Sequence, residues 1–262
     1  MGPVKTQEGL LAANRQKEIV KLTLQSQSVR VVHLSKLFGV TEETIRRDLE
    51  KLESEGQLKR IHGGAVPLND GSMELPLIER TVQNINEKRL IGQKAAEFVV
   101  DGDIIALDSS TTCLELAKSL DNQSIHVFTN GLPVVMELGN KTSMKVLCTG
   151  GFFDEDHHAF FGQVAERSME GHHIDKLFLS CKGYHVDWGM SESHEQQAML
   201  KRKLLLVADE VNLLIDSSKI NVKALINTAP SDRITRIFTD KGALAADINL
   251  IEKRGIEVVI CN

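Results

Sequence analysis

Apolar residues at helical spacing mark one short amphipathic helix near the amino terminus. Ile45, Leu49 and Leu52 are separated by four and three residues, so at about 100° per residue they share one helical face. Arg47 falls nearly opposite that face, and Arg46 lies to one side of it. A solvated surface helix can show the same pattern, so its interpretation depends on the segments that flank it.

The flanking segments complete a helix-turn-helix pattern. Residues 32–38 carry a second short apolar pattern that ends in a glycine-containing turn, and residues 15–27 supply a supporting first helix. Residues 58–61 and 62–65 are typical of two strands joined by a tight glycine turn. We predict a winged helix-turn-helix with a basic wing, preceded by a loose lead-in over residues 1–14.

The predicted DNA contacts lie on the exposed side of the basic helix and on the wing. Thr41 is the predicted N-cap of this helix, and Gly56 its stop. Arg47 is placed for base edges in the major groove, whereas the wing is placed for phosphate or the minor groove. The predicted DNA-binding residues are Thr41, Glu43, Thr44, Arg46, Arg47, Lys51, Lys59, Arg60 and His62.

From residue 102 onward the pattern changes to short apolar strands, each followed by a small polar loop and usually a helix. This alternation implies a mainly parallel sheet covered on both faces. Ligands of such sheets bind beyond the carboxyl ends of the strands, where these loops would converge. Ordinary turns contain the same residue types, but five such loops at equivalent places favour a phosphorylated ligand. The loop residues predicted to bind it are Ser109, Ser110, Thr111, Thr112, Thr129, Asn130, Gly150, Gly151, Lys182 and Lys219.

Charge is distributed unevenly along the 262 residues, whose formal net charge is −5. Residues 1–64 hold eleven Lys and Arg against eight Asp and Glu, a net charge of +3, which leaves −8 for the remainder. An acidic body with a locally basic amino-terminal segment suits a protein that touches DNA with one domain. Apolar residues make up 42%, with neither a signal peptide nor a bilayer-length apolar run, so we expect a cytoplasmic protein.

Metal and cofactor sites are not predicted. The four cysteines are widely spaced and are expected to be reduced and mostly buried thiols. His157-His158 and His172-His173 lie near acidic residues 154–156, but adjacent histidines point in different directions. They are predicted to be solvated loop residues.

Residues 198–207 are predicted to form a helix with one charged face, and residues 183–189 a hairpin.

The motif around the basic helix resembles the amino-terminal signature of the DeoR family of bacterial transcriptional regulators. Residues 38–49 read Phe-Gly-Val-Thr-Glu-Glu-Thr-Ile-Arg-Arg-Asp-Leu, and residues 60–65 read Arg-Ile-His-Gly-Gly-Ala. The resemblance continues through Asp108-Ser-Ser-Thr-Thr112, Asp175-Lys176, Lys201 and Asp216-Ser-Ser-Lys219. It implies a sensor domain, similar in fold to ribose-5-phosphate isomerase and glucosamine-6-phosphate deaminase, that binds phosphorylated sugars.

The positions that match the family pattern also include Asp108 and Glu195, which join the predicted effector-binding residues. With the phosphate on the hydroxyl loop and the lysines, their carboxylates are expected to accept hydrogen bonds from sugar hydroxyls. Two departures fall in the expected pocket. Gly131 stands where serine is usual, and Ser180-Cys181 replaces a more common Gly-Ala. These departures bear on which sugar is bound rather than on the class of ligand.

We therefore expect an α/β chain in which residues 1–66 form the winged helix-turn-helix, residues 67–86 a linker and residues 87–262 the effector domain. The expected function is repression of a carbohydrate-metabolism operon, relieved by a phosphorylated sugar, by a homodimer or homotetramer. The alternative is a sugar-phosphate isomerase-like enzyme with a fused DNA-binding head, and activation of transcription is a third possibility.

Overall fold

The computed structural model describes residues 7–26, 29–61, 63–67, 77–121 and 123–262. The chain divides into two compact units, Met1–Met73 and Glu74–Asn262.

The amino-terminal unit is a three-helix domain with a small antiparallel sheet. Its sheet has the order β1-β3-β2, and the hairpin formed by β2 and β3 is the predicted wing. The core contains Ile19 of the first helix, Leu34 of the second, and Ile45, Leu49 and Leu52 of the third, all buried. Its elements are α1 (Gln7–Ser26), β1 (Val29–Arg30), α2 (Val31–Phe38), α3 (Glu42–Ser54), β2 (Leu58–Ile61) and β3 (Gly64–Pro67).

Helix ends in this unit follow the local sequence closely. Thr41 caps α3, because its hydroxyl oxygen accepts a hydrogen bond from the Thr44 backbone N–H over 3.2 Å. Gly39 ends α2 with a left-handed φ of 63°. The first helix starts at Gln7, so the second half of the segment predicted as a loose lead-in, residues 1–14, is helical. Leucine and alanine at positions 10–13 are strong helix formers, which explains the extension.

The second unit is an α/β domain built on a seven-stranded, fully parallel sheet with the order β15-β14-β12-β9-β4-β5-β6. A smaller antiparallel sheet has the order β10-β11-β13, and β7 pairs with β8. Its helices are α4 (Leu77–Val82), α5 (Ile85–Ala96), α6 (Thr111–Ser119), α7 (Leu132–Leu138), α8 (Gln163–Arg167), α9 (Glu195–Val207) and α10 (Ala245–Glu252). Its strands are β4 (Ile104–Leu107), β5 (His126–Thr129), β6 (Lys145–Cys148), β7 (Phe152–Asp154), β8 (Ala159–Phe161), β9 (Ile174–Leu179), β10 (Gly183–His185), β11 (Gly189–Glu192), β12 (Ala208–Leu214), β13 (Ile226–Ala229), β14 (Arg236–Asp240) and β15 (Glu257–Cys261).

The parallel sheet is covered on both faces, as its apolar strands predict. Successive strand residues point to opposite faces, so Ile105 and Leu107 join the core under α5, α6 and α7, whereas Ala106 joins the core under α9 and α10. Among the described residues, no helix combines the length and the apolarity that crossing a membrane requires.

The strand order brings three polar loops together. Strands β4, β9 and β12 are neighbours in the middle of the sheet and run parallel. The residues that follow their carboxyl ends, beginning with Asp108, Ser180 and Ile215, therefore lie at one edge of the sheet.

Candidate functional site

Asp108 is the centre of a buried polar cluster at this edge. One carboxylate oxygen accepts a hydrogen bond from the Ser110 backbone N–H over 3.0 Å, and the other from the Ser180 backbone N–H, also over 3.0 Å. Burial by itself raises the pKa of Asp108, but the nearby Lys201 ammonium and these hydrogen bonds outweigh it and lower the pKa. Asp108 is thus held as a carboxylate.

Lys201 reaches the same cluster from α9. Its Nζ lies 3.1 Å from Asp108 Oδ2 and 2.5 Å from Glu192 Oε1, and it donates to the Ser180 carbonyl over 2.8 Å. Asp108, Glu192 and Lys201 are each no more than 5% exposed. One lysine therefore stands between two buried carboxylates, in a region where unpaired charge is costly.

Glu192 is a functional candidate that the sequence prediction missed, and Lys201, although part of the family resemblance, was not among the predicted effector-binding residues. The expected charged helix face over residues 198–207 is wrong for Lys201, because Ala198, Lys201 and Leu205 are all buried. Their spacing of three and four residues places them on one side of α9, and this periodicity is the signal that could have identified Lys201. The predicted acceptor Glu195 is instead exposed at the first turn of α9.

Lys219 extends the cluster toward a third carboxylate, that of Asp216. Its Nζ lies 3.2 Å from the Ser180 hydroxyl. Burial by itself raises the pKa of Asp216, but Lys219, the Ser218 hydroxyl and Lys88 lower it on balance. Asp216 also accepts from Asn84 Nδ2 over 3.0 Å. Lys219 and Asp216 are thereby joined to the Asp108 cluster through Ser180.

The hydroxyl loop after β4 forms the amino-terminal turn of α6. Ser110 is the N-cap, because its hydroxyl accepts from the Cys113 backbone N–H over 3.1 Å. Thr111 and Thr112 are buried in the first turn, and among the described residues the Thr112 hydroxyl has no hydrogen-bond partner. A buried hydroxyl without a partner calls for a physical explanation, and a bound polar ligand is one.

A small pocket opens beside this cluster. Its lining contains Asp108, Ser109 and Asn130, which are three of the residues predicted to bind the effector. Phe161, Gln197, Leu200, Lys201 and Leu204 complete the wall. The two departures from the family pattern lie near this pocket: Ser180 donates its backbone N–H to Asp108, and Gly131 lies against Ser109. A Cβ atom at Gly131 would lie 3.0 Å from Ser109 Cα, so glycine allows the two loops to approach closely.

Other predicted ligand residues have structural roles in the loops. The Thr129 hydroxyl accepts from the Gly131 backbone N–H over 3.0 Å, and Asn130 Nδ2 donates to the Phe160 carbonyl over 3.2 Å. Gly150 and Gly151 have φ values of 64° and 113°. Lys182 is half-buried next to the hairpin of β10 and β11.

On the DNA side, α3 presents the predicted arginines to solvent. Arg47 has a 78% exposed side chain and lies 3.6 Å from Glu43, and Arg46 pairs with Glu42 over 3.0 Å. Thr44 is half-buried, and Lys59 on β2 is exposed.

Two further predicted DNA contacts are tied to neighbouring groups. Arg60 Nη1 lies 2.9 Å from Glu50, and Lys51 donates to Gln16 over 3.2 Å. His62 lies outside the described residues. Asp48, inside the basic motif, is buried and pairs with Arg15 over 2.6 Å, so it joins α3 to α1.

Of the four histidines expected to be solvated, His172 and His173 are exposed, whereas His157 differs from the expectation. His157 is buried, its Nδ1 lies 2.8 Å from Asp154 Oδ1, and its ring centroid lies 4.5 Å from that of His194. The β7–β8 hairpin carries Asp154 and His157, and His194 comes from the start of α9. They offer three ligand atoms within 4.8 Å of one another, and the absence of a metal site stays a prediction.

Both units match known domains. Residues 15–70 match the DeoR-like helix-turn-helix domain, and residues 83–241 match the DeoR C-terminal sensor domain. Among solved structures, ribose 5 phosphate isomerase A from Neisseria gonorrhoeae is similar at a TM-score of 0.39 and 14% identity, over 52% of this chain and 53% of that chain.

Full-length relatives are transcriptional regulators by name. The HTH-type transcriptional regulator YulB of Bacillus subtilis is 43% identical over 95% of this chain and 96% of its own length. The transcriptional repressor AccR of Agrobacterium fabrum is 33% identical over 95% and 97% of the two chains, and the L-fucose operon activator of Haemophilus influenzae 34% over 87% and 91%. The chain belongs to the DeoR family of transcriptional regulators.

Proposed function

We propose that this regulator represses a carbohydrate-metabolism operon and releases its operator when a phosphorylated sugar binds the sensor domain. The observation that carries the proposal is the convergence of Asp108, Lys201 and Lys219 at the carboxyl edge of the parallel sheet. Carboxylates suit sugar hydroxyls, and lysines with a helix amino terminus suit a phosphate. The names of the relatives support both repression and a sugar operon.

The same proposal includes the residues that bind the ligand and those that bind the operator. The ligand lies against Ser109 to Thr112, Asn130 and Lys219, with Glu192 and Lys201 added from the structure. The operator is read by Arg47 and Arg46 on α3, with Lys59 on the wing. Domain limits of 1–66, 67–86 and 87–262 belong to this proposal as well.

Assembly as a homodimer or homotetramer completes the proposal. Helix-turn-helix proteins read half-sites about 34–36 Å apart through symmetric dimers. Large exposed apolar side chains on the sensor unit, such as Phe152 at 81% and Leu206 at 76% exposure, support association through this unit. Light scattering of the full chain at micromolar concentration tests it, and a monomer with full operator affinity would contradict it.

The regulatory function is tested with DNA that the protein itself selects from a random duplex library. Fluorescence anisotropy then measures release of that DNA by a panel of phosphorylated sugars, each paired with its unphosphorylated counterpart. We expect one phosphorylated sugar to weaken binding by a factor of roughly 5–150, the usual range of allosteric coupling. Product analysis of the same mixtures tests the enzymatic alternative, since turnover would contradict a purely regulatory role.

Lys219→Ala separates ligand sensing from DNA binding. This variant should bind the selected DNA and fail to release it, because the sensor has lost a cation for the phosphate. Lys223→Ala, an exposed lysine on the same segment, is the matched control and should respond as the natural protein does. DNA release by folded Lys219→Ala without ligand, or an unchanged dose dependence, would contradict the proposal.

A further inference from the structure

The helix that faces the operator in the proposed function, α3, carries more negative than positive charge. It holds five acidic residues against three basic ones, a net charge of −2. Of the acidic residues only Asp48 is buried, and it pairs with Arg15. The other four are exposed, so the net charge of this helix opposes the phosphate backbone of DNA.

The attraction to phosphate is instead available on the neighbouring elements. Arg30, which precedes α2, Lys36 on α2 and Lys59 on the wing are exposed, and none of them has an acidic partner among the described residues. In a helix-turn-helix the helix before the recognition helix crosses the DNA backbone. These three cations therefore supply an attraction that is the same for every DNA sequence.

Glu43 lies between the two arginines of α3. Its carboxylate oxygens lie 3.6 Å from Arg47 Nε and 3.7 Å from Arg46 Nη1. Both distances exceed that of a normal N–H···O hydrogen bond, whereas Arg46 does donate to Glu42 over 3.0 Å. Exposed ion pairs of this kind contribute little to stability. Arg47 therefore loses little when it leaves Glu43 for a guanine edge, and the Glu43 carboxylate then needs a new donor.

The position of Glu43 directs its carboxylate toward the bases. Glu43 is the second residue of α3, its side chain is 62% exposed, and the first residues of a recognition helix are those that contact base edges. Side chains on a helix lean toward its amino terminus, so Arg47, one turn later, reaches the same region. The 3.6 Å between their charged groups is close to the ~3.4 Å between successive base pairs. The two side chains are thus spaced for neighbouring base pairs.

We propose that Glu43 selects a cytosine in the base pair next to the guanine that Arg47 contacts. An ionised carboxylate only accepts hydrogen bonds, and in the major groove only the amino groups of cytosine and adenine donate them. The adenine amino group adjoins the acceptor N7, which repels a carboxylate, whereas that of cytosine has no acceptor beside it on the same base. The inference rests on the proposed reading of the operator by Arg47 and assigns a second base to α3.

The same carboxylate discriminates against other sequences. Opposite guanine, thymine or a phosphate, Glu43 loses water and gains no donor, which is unfavourable. Because the cations of α2 and the wing attract all sequences alike, this rejection adds specificity without adding affinity. A carboxylate in the first turn also stabilises a helix through its dipole. That effect changes the stability of the unit and leaves its base preference unchanged, so base preference is the quantity to measure.

Selection from a random duplex library by the full chain tests the assignment. The natural protein should enrich a guanine with a neighbouring cytosine. Glu43→Gln should change the cytosine to adenine, because an amide matches adenine N6 and N7. Glu43→Ala should keep the guanine and lose discrimination at the second position at least about fivefold, the lower end of the range for a base contact. An unchanged preference at that position in both variants would overturn the inference.

Fluorescence anisotropy with a random duplex tests the rejection. Glu43→Gln should bind it more tightly by a factor of about 5 at low salt, the effect of removing one charge about 4 Å from a phosphate in water. Glu18→Gln makes the same charge change on α1, where Glu18 pairs with Lys21 over 3.3 Å, and should alter neither this affinity nor the selected motif. Equal tightening by Glu18→Gln would show a general charge effect and contradict the role of Glu43.

Failure of this inference differs from failure of the proposed function. A natural protein that enriches no motif would contradict operator reading as a whole, and the assignment of Glu43 with it. A motif that is enriched by the natural protein and preserved in both Glu43 variants would contradict the assignment of Glu43 alone.

Discussion

Asn84 Nδ2 donates a hydrogen bond to Asp216 Oδ1 over 3.0 Å, although 132 positions separate the two residues in the chain. The bond joins the start of α5 to the loop that follows β12. Asn84 has a left-handed backbone φ of 50°, a conformation that asparagine tolerates better than most residues do. The start of α5 is therefore tied to the edge of the sheet where the polar loops meet.

Removing Lys201 should destabilise the sensor unit strongly. Lys201→Met leaves Asp108 and Glu192 as two buried carboxylates without their shared cation. Breaking a buried ion pair in this way costs about 3–5 kcal/mol. Urea unfolding measures the loss, and Lys203→Met on the same helix is the control, with an expected change near zero.

The charge itself can be separated from packing in this cluster. Adding Glu192→Gln to Lys201→Met removes one of the two buried negative charges that have lost the lysine. The double variant should therefore be more stable than Lys201→Met alone. Equal stability of the two would show that lost packing, not charge, dominates.

Gly150 and Gly151 should differ sharply in their tolerance of alanine. Both have positive φ, which costs an L-residue about 1–2 kcal/mol. A Cβ atom at Gly151 would also lie 2.4 Å from the Phe161 carbonyl oxygen, whereas that of Gly150 meets nothing within 4 Å. Gly151→Ala should lower the melting temperature clearly more than Gly150→Ala. Equal effects would mean that β8 moves away from the added Cβ atom without a loss of stability.

Arg47 and Lys59 should contribute differently to DNA recognition. Arg47 is exposed on α3, and an arginine on a guanine edge contributes ~1–3 kcal/mol of discrimination. Arg47→Ala should lose operator preference, while Lys59→Ala should weaken all sequences alike and reduce the salt dependence. Binding of operator and random duplex at several salt concentrations distinguishes the two, and unchanged selectivity in Arg47→Ala would refute the assignment.

Acid should remove a stabilising contribution of Asp216. Its pKa in the folded protein lies below the value of about 3.9 typical of an unfolded chain. The contribution is therefore complete above about pH 4 and disappears as the pH falls through the lower, folded pKa. Asp216→Asn should unfold with a weaker dependence on pH between 5 and 2, and Asp232→Asn, an exposed site, should keep the natural dependence. Parallel pH profiles for all three proteins would contradict this account.

The sequence by itself determined the elements and the family of this protein. Ile45, Leu49 and Leu52 define the buried face of α3, and the Thr41 cap and Gly39 turn are local features that need no tertiary contact. Alternation of apolar strands and polar loops likewise predicted the covered parallel sheet and the edge where its loops meet. Both signals are periodic or local, so they can be read along the chain.

Only the tertiary structure decided which polar side chains face one another. Lys201 belongs to the pocket because α9 turns its Ala198 face inward, and Glu192 contacts it from β11 of the smaller antiparallel sheet. Asn84 reaches a loop 132 residues away in the chain. A charged residue has the same letter whether it is solvated or buried. Its burial and its partners depend on contacts between distant segments, which no local pattern records.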